Sequence, residues 1–155
     1  YSEIAAIGNP ISNVSNGGCL DGLNNYLFFG GSGAQGSTCF GGSNGAGFGW
    51  EDMTIIKIGY QFDVDGNTYR VGYSHADSPI AESETLFNIL APAVIEDHLT
   101  AGMTMPIGGN QELNIAGMYA PSNSVKGANP FDGGQTQIEI EMSQWEVQAG
   151  WAWKY

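Results

Sequence analysis

Trp145-Glu-Val-Gln-Ala-Gly-Trp-Ala-Trp-Lys-Tyr155 is the stretch that decides the fold. Its odd positions, Trp145, Val147, Ala149, Trp151, Trp153 and Tyr155, are all apolar. Between them stand Glu146, Gln148, Gly150, Ala152 and Lys154. Side chains alternate across a strand, so this period of two predicts a strand with one apolar face and one polar or small face.

The same alternation recurs upstream. Over Asp52–Asp63 the apolar set is Ile56, Ile58, Tyr60 and Phe62, opposed by Lys57, Gly59 and Gln61. Over Thr68–His75 it is Tyr69, Val71 and Tyr73 against Arg70, Gly72 and Ser74. Over His98–Met105 it is Leu99, Ala101, Met103 and Met105 against His98, Thr100, Gly102 and Thr104. Over Glu112–Tyr119 it is Leu113, Ile115, Gly117 and Tyr119 against Glu112, Asn114, Ala116 and Met118. Tyr1–Ile7 reads as the end of a further strand, giving an all-β antiparallel meander of five to six strands. In the last strand Ile138, Ile140 and Met142 are apolar at even positions before the odd set begins. A bulge, or exit from the bilayer near Ser143–Gln144, would account for that change of phase.

The connections alternate in length. Asp63–Asn67 is a tight turn around Asp65-Gly66, and Pro106–Asn110 is a second short turn. Residues 8–50, 76–94 and 121–135 are long links. Strict alternation of short turns and long loops is the habit of transmembrane barrels. A soluble β-sandwich shares the strand pattern. Two details favour the barrel. The second face is as often small and uncharged as charged, which suits a filled lumen. Tyr73, Tyr119, Trp145, Trp153 and Tyr155 also stand towards strand ends, as in the aromatic girdles at membrane interfaces.

Composition narrows the function classes. The chain of 155 residues carries 4 Lys and Arg against 16 Asp and Glu, a net charge of −12. Such a surface repels phosphate backbones, which excludes nucleic acid as a partner, and it excludes a basic membrane-surface helix. No apolar run is long enough for a transmembrane helix. The chain opens on Tyr1 without the pattern of a signal peptide, which suggests a processed chain or a piece of a longer one. Cys19 and Cys39 lie in a Gly-, Ser- and Asn-rich stretch, a context that suits a disulfide in a long loop.

One stretch resembles a general outer-membrane signal, and three further stretches point to one family. Gln148, Gly150, Trp153 and Tyr155 fit the C-terminal assembly signal of bacterial outer-membrane proteins, although most such chains end in Phe. Gly45-Ala-Gly-Phe-Gly-Trp-Glu-Asp-Met-Thr54 opens a strand. Ser83-Glu-Thr-Leu-Phe-Asn-Ile-Leu-Ala-Pro92 fills a long loop, after Tyr69-Arg-Val-Gly-Tyr73 and Asp77-Ser-Pro79. Tyr119-Ala-Pro-Ser-Asn-Ser-Val-Lys-Gly-Ala-Asn-Pro130 leaves the next strand. Together these resemble the C-terminal part of the outer-membrane long-chain fatty acid transporters, the FadL/OmpP1/TodX family.

The resemblance covers most of 45–155 and is vaguer upstream. It implies a segment of a fourteen-stranded barrel in the outer membrane of a Gram-negative bacterium, with the hatch and earlier strands missing from residues 1–155. Residues 8–50, 76–94 and 121–135 would be extracellular, and 63–67 and 106–110 periplasmic. The implied function is uptake of long-chain fatty acids or similar hydrophobic compounds, without catalysis or cofactor. The implied partners are outer-membrane lipid, the hydrophobic substrate, the remaining strands and hatch of the barrel, and the barrel-assembly machinery. A segment of five or six strands cannot close alone, because open edges in lipid leave backbone groups unpaired.

Lys57 and Arg70 are candidate substrate-binding residues on the polar faces of adjacent strands. Either would attract a fatty-acid carboxylate through a charge-assisted hydrogen bond, an incoming carboxylate meeting Lys57 first. The competing reading is a structural ion pair with Glu112 or Glu146. Leu86, Phe87, Ile89 and Leu90 make an apolar patch in the 76–94 loop, either a mini-core or a greasy surface for substrate, with Ser83 a candidate helix cap. Asp63–Asn67 lacks the spacing of a calcium loop. Ser74, His75 and His98 lack the elbow of a hydrolase, and the two histidines lack the further ligands of a metal site. Two other classes stay open: a structural or adhesive outer-membrane barrel, and a soluble secreted β-sandwich with a disulfide.

Overall fold

The computed structural model describes residues 5–16 and 42–153. Cys19, Cys39, Lys154 and Tyr155 lie outside the described residues, and the anticipated disulfide with them.

Five antiparallel strands form one meander in the order β1 (Ile55–Val64), β2 (Asn67–Ala76), β3 (Asp97–Gly108), β4 (Gln111–Ala128) and β5 (Gln137–Trp153). The sheet is open, with β1 and β5 as its edges among the described residues. The turn between β1 and β2 is Asp65-Gly66, with φ of 50° and 79°. Positive φ at both central residues is the twist-matched hairpin turn that Asp-Gly favours. The Thr68 hydroxyl donates to Asp63 at 2.6 Å and closes its base. At the second short turn the register shifts between Pro106 and Gly108, a local irregularity beside a residue that cannot donate to the ladder.

The register stacks the alternating faces on one another. Ile58 pairs with Tyr73, Tyr73 with Leu99, and Leu99 with Tyr119. Gly59 pairs with Gly72, Gly72 with Thr100, and Thr100 with Met118. A Cβ built on Gly117 would stand 3.6 Å from the Glu146 carbonyl, and one on Gly150 would stand 3.9 Å from the Asn114 Cβ. Residues 114–117 therefore run beside 146–150. A one-residue slip at any pairing would have thrown that strand's apolar set to the other side.

Three expectations change. Ala5–Gly8 is a short helix (α1), not the end of a strand. β4 continues to Ala128 and β5 begins at Gln137, so the long link 121–135 shrinks to 129–136. In β4 beyond Pro121 the alternating residues Ser122, Ser124 and Lys126 oppose no apolar stripe, so periodicity carried no strand signal there. Polar pairs hold that stretch instead: Ser122 donates to Glu141 at 2.6 Å, and Lys126 meets Glu139 at 3.2 Å. Third, Ser83 caps no helix. A 3-10 turn over Glu82–Glu84 leads into α2 (Thr85–Asn88), and neither has a side-chain cap. Among the described residues no helix is long and apolar enough to cross a membrane.

The chain divides into two compact units. The second comprises Thr54–Ser78, Ile95–Ser124 and Glu141–Tyr155, and holds most of the sheet. The first comprises Tyr1–Met53, Pro79–Val94 and Val125–Ile140. Within it the segments are knotted by polar contacts. Trp50 pairs with Ile80 in an isolated bridge, the Glu51 amide donates to Pro79 at 2.8 Å, and the Trp50 amide donates to Ile7 at 2.9 Å. Asn88 is fully buried and ties three places together. Its amide donates to the carbonyls of Phe48 (2.7 Å) and Glu84 (2.9 Å), and its oxygen accepts from the Trp50 indole at 2.6 Å. Buried Glu84 accepts from the Ile11 amide at 2.7 Å. Gly127 lies against this knot so closely that a Cβ there would stand 1.8 Å from the Glu82 carbonyl.

Candidate functional site

Arg70 and Lys57 fall on one face of the sheet, as the alternation requires. Gln61 pairs with Arg70 and Lys57 with Ser74, and Lys57 and Gln61 share parity on β1. Arg70 is the anchored one. Its Nε donates to Gln61 Oε1 and its Nη1 to Thr104 Oγ1, both at 2.8 Å, and Thr104 Oγ1 donates to Asn114 Oδ1 at 2.7 Å. A polar ladder thus crosses β1 to β4. The Thr104 and Asn114 parts of it could be read from the sequence only as members of the small and polar set, because cross-strand neighbours depend on register.

Neither Lys57 nor Arg70 forms an ion pair among the described residues. Arg70 takes two neutral partners instead of Glu146 or Glu112. Glu146 lies three strands away on β5 and accepts from the Gln148 amide on its own strand.

Between Arg70 and the Glu146–Gln148 pair lies a hollow of about 470 Å³. Gly59, Gly72, Thr100, Gly102, Ala116 and Met118 line it. It exists because small residues meet small residues across the ladder: Gly59 with Gly72, Gly72 with Thr100, Gly102 with Ala116. Its walls carry opposite charge, Arg70 towards one end and Glu146 towards the other.

The opposite face is apolar and open. Ile58, Tyr60, Trp145 and Val147 are 70%, 67%, 79% and 68% exposed. Tyr60, Phe62 and Tyr69 stack in series near the Asp65-Gly66 turn, with centroids 5.8 and 5.4 Å apart. Trp151 and Trp153 stand 6.1 Å apart on β5. Within the terminal pattern, Trp153 thus shares the apolar parity, while Gln148 and Gly150 have the polar parity.

The 76–94 loop patch splits. Phe87 is half-buried and stacks on Phe48 with centroids 4.9 Å apart, and Leu86 is half-buried. Ile89 and Leu90 are exposed. The residues that α2 itself buries are Thr85 and Asn88, while Ala46, Ile80 and Val94 are buried apolar residues of the same unit.

The histidines do not come together. His75 pairs with Asp97 across the ladder and His98 with Ser74, which puts the two imidazoles on opposite faces. His75 Nδ1 lies 2.9 Å from Asp97 Oδ1, and the Tyr73 hydroxyl donates to the same oxygen at 2.6 Å. Ser74 and His75 likewise diverge, as consecutive strand residues must. Among the described residues no group of His, Cys, Asp and Glu could hold a metal ion.

No family model, no curated protein and no solved structure matches the chain.

Proposed function

We propose that this chain is part of the wall of an outer-membrane β-barrel of a Gram-negative bacterium, through which long-chain fatty acids or similar hydrophobic compounds enter. One observation carries the reading. The register lays the apolar residues of β1 to β4 on a single exposed face, beside the exposed Trp145, Val147, Trp151 and Trp153 of β5, and lays the small and polar residues, with their hollow, on the other.

In water such a face is costly. Burying apolar surface is worth about 25 cal/mol per Å², and monomeric soluble proteins rarely leave contiguous apolar patches beyond a few hundred Å². Something apolar has to cover it. A second sheet would do so in a sandwich, but the face turned to water would then be rich in charge. Here that face carries Lys57, Arg70 and Glu146, but between them it is built of Gly59, Gly72, Gly102, Thr100, Ala116 and Met118. Lipid outside and a filled, partly polar lumen inside suit both faces at once.

The open edges fit the same reading. Among the described residues β1 and β5 each offer an unpaired row of backbone groups, which in lipid must be matched by further strands. The resemblance to the fatty acid transporters supplies the fourteen-stranded barrel and the substrate class, and the pattern Gln148, Gly150, Trp153 supplies recognition by the barrel-assembly machinery. On this topology the knot around Asn88 is extracellular, the Asp65-Gly66 turn is periplasmic, and Ile89 and Leu90 present an apolar tip to arriving substrate.

The test is expression of the full-length protein in a Gram-negative host. Outer-membrane fractionation, heat-modifiable migration on a gel and uptake of a labelled long-chain fatty acid are the expected results. Recovery in the soluble fraction would favour a secreted sandwich. A heat-modifiable barrel without uptake would favour a structural or adhesive role.

A further inference from the structure

We infer that the hollow on the polar face is a binding subsite for a short two-ended molecule, an anionic group at one end and a hydrogen-bond donor at the other. The inference rests on the proposed barrel, since it takes this face as the lumen.

The anionic end is set by Arg70. Its guanidinium has five N–H groups. Gln61 and Thr104 take two of them, and the other three have no partner among the described residues. The two bonds fix the plane of the fork, and Asn114 fixes Thr104 in turn. A guanidinium held this way is an oriented receptor for a carboxylate, which it binds best through two parallel N–H···O bonds. Lys57 has no such anchoring among the described residues, so Arg70 is the receptor.

The far end is set by Glu146 and Gln148. The Glu146 carboxylate is an acceptor only and has room for more than the single Gln148 donor. An alkyl chain laid against it would strip its water and return no hydrogen bond, which is unfavourable. A hydroxyl or ammonium group there would satisfy it. The two ends lie three strand spacings apart, about 14 Å before their side chains reach inward.

The floor accepts the body of the ligand. Gly72, Gly102 and Ala116 keep it low, and its volume of about 470 Å³ lies within the usual range for small-molecule sites. An unsubstituted long-chain acid satisfies only the Arg70 end. The subsite therefore favours a medium-length carboxylate with a polar donor at its other terminus.

The experiment compares ω-hydroxydecanoate with decanoate by titration calorimetry on the full-length protein in detergent, after heat-modifiable migration has shown a folded barrel. The hydroxy acid is expected to bind about tenfold tighter. Arg70→Ala should weaken both ligands about tenfold or more. Glu146→Ala should narrow the preference to within about twofold. Ala116→Met, or Thr100→Met if that variant does not fold, should abolish binding of both by filling the floor. Equal affinities in the wild type, or full binding with the floor filled, would overturn the subsite while leaving the barrel standing. A wild-type protein that is not a membrane barrel would overturn the reading beneath it.

Discussion

In the knot, Glu84, Thr85 and Asn88 are buried, while Ile89 and Leu90 stand 54% and 74% exposed. On the sheet, Ile58, Tyr60 and Trp145 are exposed, while the opposite face is lined by glycine, threonine and small apolar residues. The two regions are held in different ways. The knot is closed by hydrogen bonds from a few polar side chains to backbone groups of distant segments. The open sheet is held by its ladder, and its apolar side chains do nothing for it until something covers them. One region should therefore fail when a single polar atom is lost. The other should fail when a charge is placed on the wrong face.

The largest effect is expected at Asn88. Asn88→Ala removes its hydrogen bonds to the Trp50 indole, the Phe48 carbonyl and the Glu84 carbonyl. At about 1–3 kcal/mol for the buried Glu84 bond and about 0.5–1.5 kcal/mol for each of the two part-buried ones, the loss should reach about 2–6 kcal/mol. Limited proteolysis should then cut the 79–92 segment in a protein whose sheet is intact. Resistance equal to wild type would show that the knot does not depend on this residue.

Val71→Arg addresses the other side of the comparison. In a membrane barrel it should cost about 2–4 kcal/mol, whereas Thr100→Arg, one strand over and on the opposite face, should cost far less. Urea titration of folding into vesicles measures both. If the two costs are equal, the sheet is not divided between lipid and lumen.

Gly127→Ala comes next. The added methyl would meet the Glu82 carbonyl and the Thr85 hydroxyl, and should cost about 1–3 kcal/mol as an overpacked contact. The effect belongs to the knot, so proteolysis should report it more strongly than the unfolding of the sheet does.

The smallest effect concerns the 129–136 loop. Asp132 accepts from the Thr136 hydroxyl and from the amides of Gly134, Gln135 and Thr136, each amide at 3.0 Å. The Thr136 hydroxyl bond, then the backbone amides, hold this carboxyl below the usual carboxylate range. A depressed folded-state pKa means its contribution is fully present above the unfolded value, about 3.9, and is lost as pH falls through the folded one. Amide exchange at Gly134–Thr136 should therefore be flat from neutral pH down to about pH 4, once corrected for intrinsic rates, and rise below it. Asp132→Asn should remove that acid-dependent step.

Much of the sheet was legible because a half-covered strand writes its period into the sequence. Tyr69, Val71, Tyr73 against Arg70, Gly72, Ser74 allows one reading. The outer end of β4 was not legible, although Ile138, Ile140 and Met142 marked the start of β5. Around Ser122 and Lys126 both faces are polar or small, and strands paired through side-chain hydrogen bonds leave no apolar stripe. β5 changes parity for a reason visible in burial: Ile140 is buried, while Trp145, Val147, Trp151 and Trp153 on the opposite parity are exposed. The Tyr1–Ile7 reading failed over Ala5–Gly8 because four residues are too few to tell a helical turn from a strand end.

By itself the sequence determined the strand-by-strand division into apolar and small or polar faces, the two tight turns, and the shared face of Lys57 and Arg70. Those are local properties, set by alternation along the chain and by turn chemistry. The meander order of neighbouring strands was also expected from the alternating connections, whereas tertiary structure alone decided the register. It thereby decided that Arg70 would be tied to Gln61 and Thr104, that glycine would meet glycine to open a hollow, and that Asn88 would tie its own helical turn to the Phe48–Trp50 segment. Contacts between residues far apart in sequence depend on the sum of all pairings, and no single stretch of chain carries that information.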